Sequence, residues 1–339
     1  MSLVGSNLIN QWWCKRRGYM QGLSGVGLAL TMTGFLPTLF RMGANVAGWQ
    51  ETYIVVGLVL MLLFVPSSAF LLLDKPEDFG MRPDGLELCI QTACNFKQDE
   101  DEPLGQVGEI PEIEVCYTQA EAVRTASFWA SGISCLVWAA LCTGVFFWIP
   151  EVVQESCHGR SVDTQDNVLA MFYALSSIAS ASSTLIAGWL LDTCGWKVPL
   201  ICALSCHTVS LVTLPLITSM ETAIPIFLIF GMGNGMMNNL TQTVMAKLFG
   251  REHLGKISGI SQGMITFGSA LGPLLFGYFK DSIGTYSSVI RGSGIFPLLS
   301  LVAVMFCPKI KPCINCHDDA DTGNLQYELV LAPLDQTVD

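Results

Sequence analysis

From Asn167 to Leu191 the chain runs 25 residues without a charged side chain, and from Val198 to Met220 it runs 23 more without Asp, Glu, Lys or Arg. A helix that crosses a bilayer needs about 20 predominantly apolar residues. Only the stretch from Asp192 to Lys197 separates the two runs, so both charges are fixed at a membrane surface. Gly188 lets helices approach closely, and Gly195 permits a tight turn. Asp192 stands where the next helix begins and can neutralise its positive end. Two readings are open. The stretch is an ordinary interhelical loop, or Gly188, Asp192, Gly195 and Lys197 form a charged latch that holds two membrane helices in one of two arrangements.

The rest of the chain repeats this pattern. Charged residues are 13% against about 25% in average globular chains, and the apolar residues come in long runs. That defines an all-α, polytopic membrane protein. The runs predict eight spans, at about Gly18–Phe40, Thr52–Leu73, Ala126–Ile149, Asn167–Leu191, Val198–Met220, Thr222–Ala246, Ile257–Phe279 and Ser288–Phe306. Residues 1–73 read as the remnant of an N-terminal bundle and 74–125 as an acidic linker. Residues 126–307 read as a six-helix bundle and 308–339 as a disordered tail. The net charge of -11 and the lack of a large basic cluster exclude a nucleic-acid partner. The scattered cysteines give no disulfide framework. No metal cluster, catalytic triad or nucleotide loop is legible, so neither an enzyme nor a cofactor is expected.

Basic residues set the orientation. With eight spans, one side holds Lys15, Arg16, Arg17, Lys75, Arg82, Lys97, Arg124, Lys197, Lys247, Arg251, Lys256, Lys309 and Lys311. The other holds Arg41, Arg160, Lys280 and Arg291. The first side is therefore expected in the cytosol, with the middle loop and the C-terminus.

Sliding the chain by 236 residues aligns Gly27 with Gly263, Pro37 with Pro273, Leu39-Phe40 with Leu275-Phe276, and Gly48 with Gly284. The first span thus matches the seventh, six helices on. Such repeats build transporters with a solute site at the repeat interface. A six-helix repeat implies that the chain begins inside its fourth helix.

These residues carry a resemblance. Gly188-Trp-Leu-Leu-Asp192-Thr-Cys-Gly195-Trp-Lys197 resembles the G-x-x-x-D-x-x-G-R/K loop of the major facilitator superfamily, with Trp196 at a position that is often Arg. Gly268-Ser-Ala-Leu-Gly272-Pro273 resembles its glycine-proline motif. Trp13 to Gly18, Gly48-Trp49, Pro76 to Gly85 and Glu121 to Trp129 are similar to the oxalate/formate antiporter and monocarboxylate transporter branch. The resemblance covers all but the acidic loop and tail. It implies secondary active transport of a small solute, such as a monocarboxylate or other organic anion, by alternating access. The alternative is a truncated, non-transporting chain that needs a partner half, and the implied missing helices predict that this chain alone does not transport. The branch is thought to use basic residues inside its helices, yet the third to seventh spans hold none between their ends.

Uncharged polar residues form stripes instead. Asn234, Asn238 and Gln242 recur every four residues on one helix face, as do Tyr173, Ser177, Ser180 and Thr184. Ser131, Ser134 and Trp138 line the third span, and Gln262 and Thr266 the seventh. Buried amides need partners. They serve either as interhelical ties or as solute contacts, and Trp138, Tyr173, Asn234, Asn238, Gln242 and Gln262 are the candidates. His207 is the only imidazole within a span, either a packed core histidine or a proton relay.

Gly231 and Gly235 read as a helix-packing pair, as do Gly259 with Gly263 and Gly268 with Gly272 before Pro273. The sequon at Asn239-Leu-Thr241 is buried in a span and should be silent. Cys313-Ile-Asn-Cys316-His317 matches a haem-attachment spacing by chance; acylation at Cys307, Cys313 or Cys316 is the better reading. Tyr327-Glu-Leu-Val330 resembles a tyrosine-type signal for sorting machinery. The remaining partners are a small-molecule solute and the lipid bilayer.

Overall fold

The computed structural model describes residues 2–13, 16–29, 31, 36–71, 117–156, 162–217, 220–251, 253–308, 315–317 and 326–328. The linker through residue 116, Cys313 and Leu329-Val330 lie outside the described residues. The helices are α1 (Ser2–Trp12), α2 (Arg17–Ala29), α3 (Leu36–Ala47), α4 (Trp49–Leu71), α5 (Gln119–Arg124) and α6 (Ala126–Ser156). They continue with α7 (Val162–Cys194), α8 (Lys197–Thr213), α9 (Met220–Phe249), α10 (Leu254–Ile283), α11 (Tyr286–Ser293) and α12 (Ile295–Phe306). A short antiparallel ribbon pairs β1 (Asn315–His317) with β2 (Gln326–Glu328), outside the spans. Tyr327 lies on that ribbon, in register with Cys316.

The predicted spans are refined in detail. Four helical segments among the described residues are long and apolar enough to cross a bilayer: Ala126–Glu155, Asn167–Cys194, Lys197–Leu216 and Tyr286–Phe306. Helices α9 and α10 have 30 residues each, about 45 Å at 1.5 Å per residue, so length does not limit them. Their glycines and amides dilute the apolar character. The first expected span is divided between α2 and α3, and the eighth between α11 and α12, which meet at Gly294. The fifth is shorter than its run, because Pro215 turns its end into a 3-10 segment, Leu214–Leu216. The linker's end is folded: α5 carries a capping box, with Thr118 Oγ1 accepting from Glu121 N and Glu121 Oε2 accepting from Thr118 N.

Helices α6 to α12 pack as one bundle. α7 lies along α9, α10 lies along α6, and α8 packs on α9 and α12. Glycine makes these approaches possible. A Cβ on Gly231 or Gly235 would stand 2.4 Å or 2.1 Å from the carbonyl oxygens of Ser176 or Ser180 on α7. On α10, a Cβ on Gly268 or Gly272 would stand 2.4 Å or 2.0 Å from those of Leu136 or Ala140 on α6. At the next residue, the Pro273 carbonyl accepts the Trp148 indole N–H at 3.0 Å. Gly259 and Gly263 are not a packing pair among the described residues, where a Cβ on either meets nothing within 4 Å. Both are exposed.

Two apolar clusters fill the bundle. One gathers Val145, Ile149, Phe172, Phe227, Phe230 and Ile290. The other gathers Leu191, Leu200, Leu204, Met237, Leu240 and Val304 toward the Asp192 end. α2 lies on the flank of the bundle, against α7 and α9. α4 packs on α3, and its Val55, Leu58, Met61 and Leu62 are exposed, as suits a helix that faces lipid.

The sequence repeat has a backbone counterpart. Gly48 and Gly284 each follow a helix, at φ +90° and +95°. Their N–H groups close the preceding helix on Ala44 O at 3.1 Å and Lys280 O at 2.7 Å. Left-handed backbone at both positions requires glycine or a near equivalent.

Candidate functional site

Two sites emerge, one at the end of the bundle and one near its middle. At the end, Asp192 closes α7. Its Oδ1 accepts the Gly18 N–H at 3.1 Å and its Oδ2 accepts the Tyr19 N–H at 3.0 Å. The carboxylate therefore caps the first turn of α2, where unpaired N–H groups and the helix dipole favour negative charge. Lys247, in the last turn of α9, pairs with Oδ1 at 3.6 Å.

The start of α8, which the sequence offered to Asp192, is not what its carboxylate caps, and Lys197 of the same loop is engaged elsewhere. Gly195, at φ +79°, reverses the chain and carries Lys197 away. Its ammonium donates to the Cys307 carbonyl and lies 5.8 Å from the Trp196 ring centroid. Arg251 also turns elsewhere, donating to Gln11 O at 3.4 Å. Cys307 is buried, with its Sγ 3.3 Å from Ser127 Oγ, which leaves it poorly placed for acylation.

The α2–α7 contact beneath Asp192 is tight. A Cβ on Gly188 would stand 2.1 Å from Gly18 O, and one on Gly22 would stand 2.9 Å from Thr184 O. Asn239 of α9 ties the seam. Its buried Nδ2 donates to Gly18 O at 3.0 Å and Thr184 O at 3.1 Å. Thr184 Oγ1 donates to Gly235 O at 2.6 Å. Arg17 is buried beside it, donating to Trp13 O at 2.8 Å, Asn10 O at 3.2 Å and Ala246 O at 3.1 Å. Sequence reasoning missed Arg17, Gly18, Asn239 and Lys247. The Gly18/Gly22 spacing was the available signal, a small-residue face matching that of Gly188 and Thr184.

Near the middle, Asn234 sits halfway along α9. The Trp138 indole N–H donates to Asn234 Oδ1 at 3.0 Å across from α6. Indole nitrogen only donates, so the amide oxygen must face it. Asn234 Nδ2 is then a buried donor without a partner among the described residues.

Further along the stripe, Gln242 Nε2 donates to Asn238 Oδ1 at 3.2 Å, and Gln21 of α2 donates to Gln242 Oε1. Tyr173 is partly exposed and stacks on Phe146, with centroids 6.2 Å apart. Gln262 is half-buried on α10, where its backbone carbonyl accepts the Thr266 hydroxyl at 2.9 Å. The structure therefore brings together Trp138 with Asn234, and Asn238 with Gln242. It joins neither Tyr173 nor Gln262 to them by a hydrogen bond. His207 is buried, edge-on to Phe230 and against Gly233.

Long apolar helices, close glycine contacts and amides tied across helices define a multi-pass integral membrane protein. The chain belongs to the Major Facilitator Superfamily, whose sequence pattern matches residues 1–273 and 167–313. Monocarboxylate transporter 10 of Homo sapiens is 21% identical over 329 residues, covering 96% of this chain. The chain spans 59% of that relative's length. Two crystal structures are similar in shape at 11% identity. The transporter FucP in the outward conformation gives a TM-score of 0.45, over 91% of this chain and 87% of its own. The fucose:proton symporter FucP of E. coli gives 0.42, over 91% and 90%.

Proposed function

We propose that the protein is a secondary transporter working by alternating access, with a monocarboxylate or other small organic anion as its solute. The observation that carries this is the pair Trp138–Asn234. It leaves one buried amide donor that needs an acceptor, and a carboxylate oxygen supplies one. In this reading Asn238 and Gln242 extend the stripe, with Tyr173 as an aromatic contact and Gln262 as a further amide contact to the solute. The 21% identity to a monocarboxylate transporter supports the same solute class. In this reading the Asp192 cap on α2 is a conformational latch, and the end that carries it faces the cytosol.

The test is binding of radiolabelled short monocarboxylates to the purified full chain, followed by uptake into liposomes. Saturable binding should weaken about tenfold or more in Asn234→Leu, the order expected when a charged acceptor loses a buried donor. Equal binding by wild type and Asn234→Leu would overturn the site. No saturable binding of any carboxylate would overturn the solute class.

A further inference from the structure

We propose that the open pocket between α5 and the first turns of α10 is a headgroup site for an anionic phospholipid. The cavity is about 660 Å³, within the ~300–1,000 Å³ typical of small-ligand pockets. Arg124 and Lys256 bring its positive charge and His253 a further polar group, while Val123 and Ile260 give it an apolar side. That combination suits an amphiphile whose phosphate meets the cations and whose glycerol region meets the aliphatic carbons.

Three observations favour a lipid over a solute from the water phase. The first is position. Arg124 stands just before the candidate span that opens at Ala126. Beside it the exposed Trp129 holds its indole N–H on Val123 O at 2.8 Å. Tryptophan at this level marks the boundary of hydrocarbon and water.

The second is the state of the cations. At this end of the bundle, Arg17, Lys197, Lys247 and Arg251 are each engaged by a carbonyl or a carboxylate. Arg124 and Lys256 have no ion pair or side-chain hydrogen bond among the described residues. His253 is the N-cap of α10 yet makes no side-chain capping bond. The positive end of that long helix adds to the same field.

The third is rigidity. The Glu121 carboxylate, the acid nearest Arg124 in sequence, is spent on the capping box. Tyr117 N donates to Phe249 O at 3.0 Å, and the Tyr117 ring packs edge-on to Phe249. With Ala122 buried beneath it, the pocket wall is fixed before any ligand arrives.

The experiment is native mass spectrometry of the full chain in detergent, titrated separately with phosphatidylserine, phosphatidylcholine and inorganic phosphate. Phosphatidylserine should bind at one tighter site. Arg124→Gln/Lys256→Gln should weaken that site about 10–30-fold, the effect of removing two interfacial cations. Arg124→Lys/Lys256→Arg should restore it, which separates loss of charge from misfolding. Phosphatidylcholine should bind both forms alike. Unchanged phosphatidylserine binding in the double Gln variant would overturn the proposal. So would inorganic phosphate that displaces the lipid at comparable concentration, since the site would then serve a soluble anion.

Discussion

Asp192 and Gly18 lie 174 residues apart in sequence and meet at 3.1 Å, carboxylate oxygen to backbone N–H. With Tyr19 N on the other oxygen, one side chain caps a helix to which it does not belong. The cap's strength comes from charge as well as from hydrogen bonding, and charges at helix ends contribute about 0.3–2 kcal/mol. Asp192→Asn keeps an acceptor and nearly the same shape, but removes the charge and leaves Lys247 without its ion pair. We expect the separation of α2 from α7 to become two- to thirtyfold more favourable, as that energy range dictates. Spin labels on exposed positions of the two helices report it as a broader or bimodal distance distribution. An unchanged distribution would show that the hydrogen bonds alone hold the joint.

The same seam predicts a steric effect. Gly188→Ala places a methyl group 2.1 Å from the Gly18 carbonyl oxygen, and that atom is backbone. The helices must part, and overpacking of this kind costs about 1–3 kcal/mol. Thermal unfolding in detergent should shift downward by several degrees. Gly259→Ala, which meets open space among the described residues, should leave the midpoint unchanged or raise it slightly.

Asn239 offers a third measurement. Its amide spans two carbonyls on two helices, so Asn239→Leu leaves Gly18 O and Thr184 O with one partner fewer each. The loss should destabilise the protein by about 1–3 kcal/mol. Because Asn239 is buried and engaged, glycosidase treatment of the protein from a eukaryotic host should produce no mobility change at its sequon. A shift that disappears in Asn239→Gln would contradict the packing described here.

What the sequence determined, and what it left to the tertiary structure, separate along one physical line. Runs such as Asn167–Leu191 are long and apolar, and each turn of such a helix satisfies its own backbone bonds, so helix type and place were local properties. Gly48 and Gly284 were legible as a repeated pair, and the structure added the reason, a left-handed backbone at a helix end. The acid at Asp192 was also visible, because a lone charge between two apolar runs is conspicuous. Its partner was not. Position in the sequence favoured the start of the fifth span, only a few residues away. The structure instead supplied the N–H groups of Gly18 and Tyr19, because only the packing of α2 on α7 decides which helix end a carboxylate reaches. Asn239 was legible as buried, which its 2% exposure bears out, but its role at the seam was not. In sequence it is a buried sequon one residue past Asn238, but a rotation of about 100° per residue turns it from the stripe toward the seam of three helices. Trp138 and Asn234 were found as members of separate stripes. That they face each other, and that one amide hydrogen-bond donor is left over, depended on how α6 and α9 sit together.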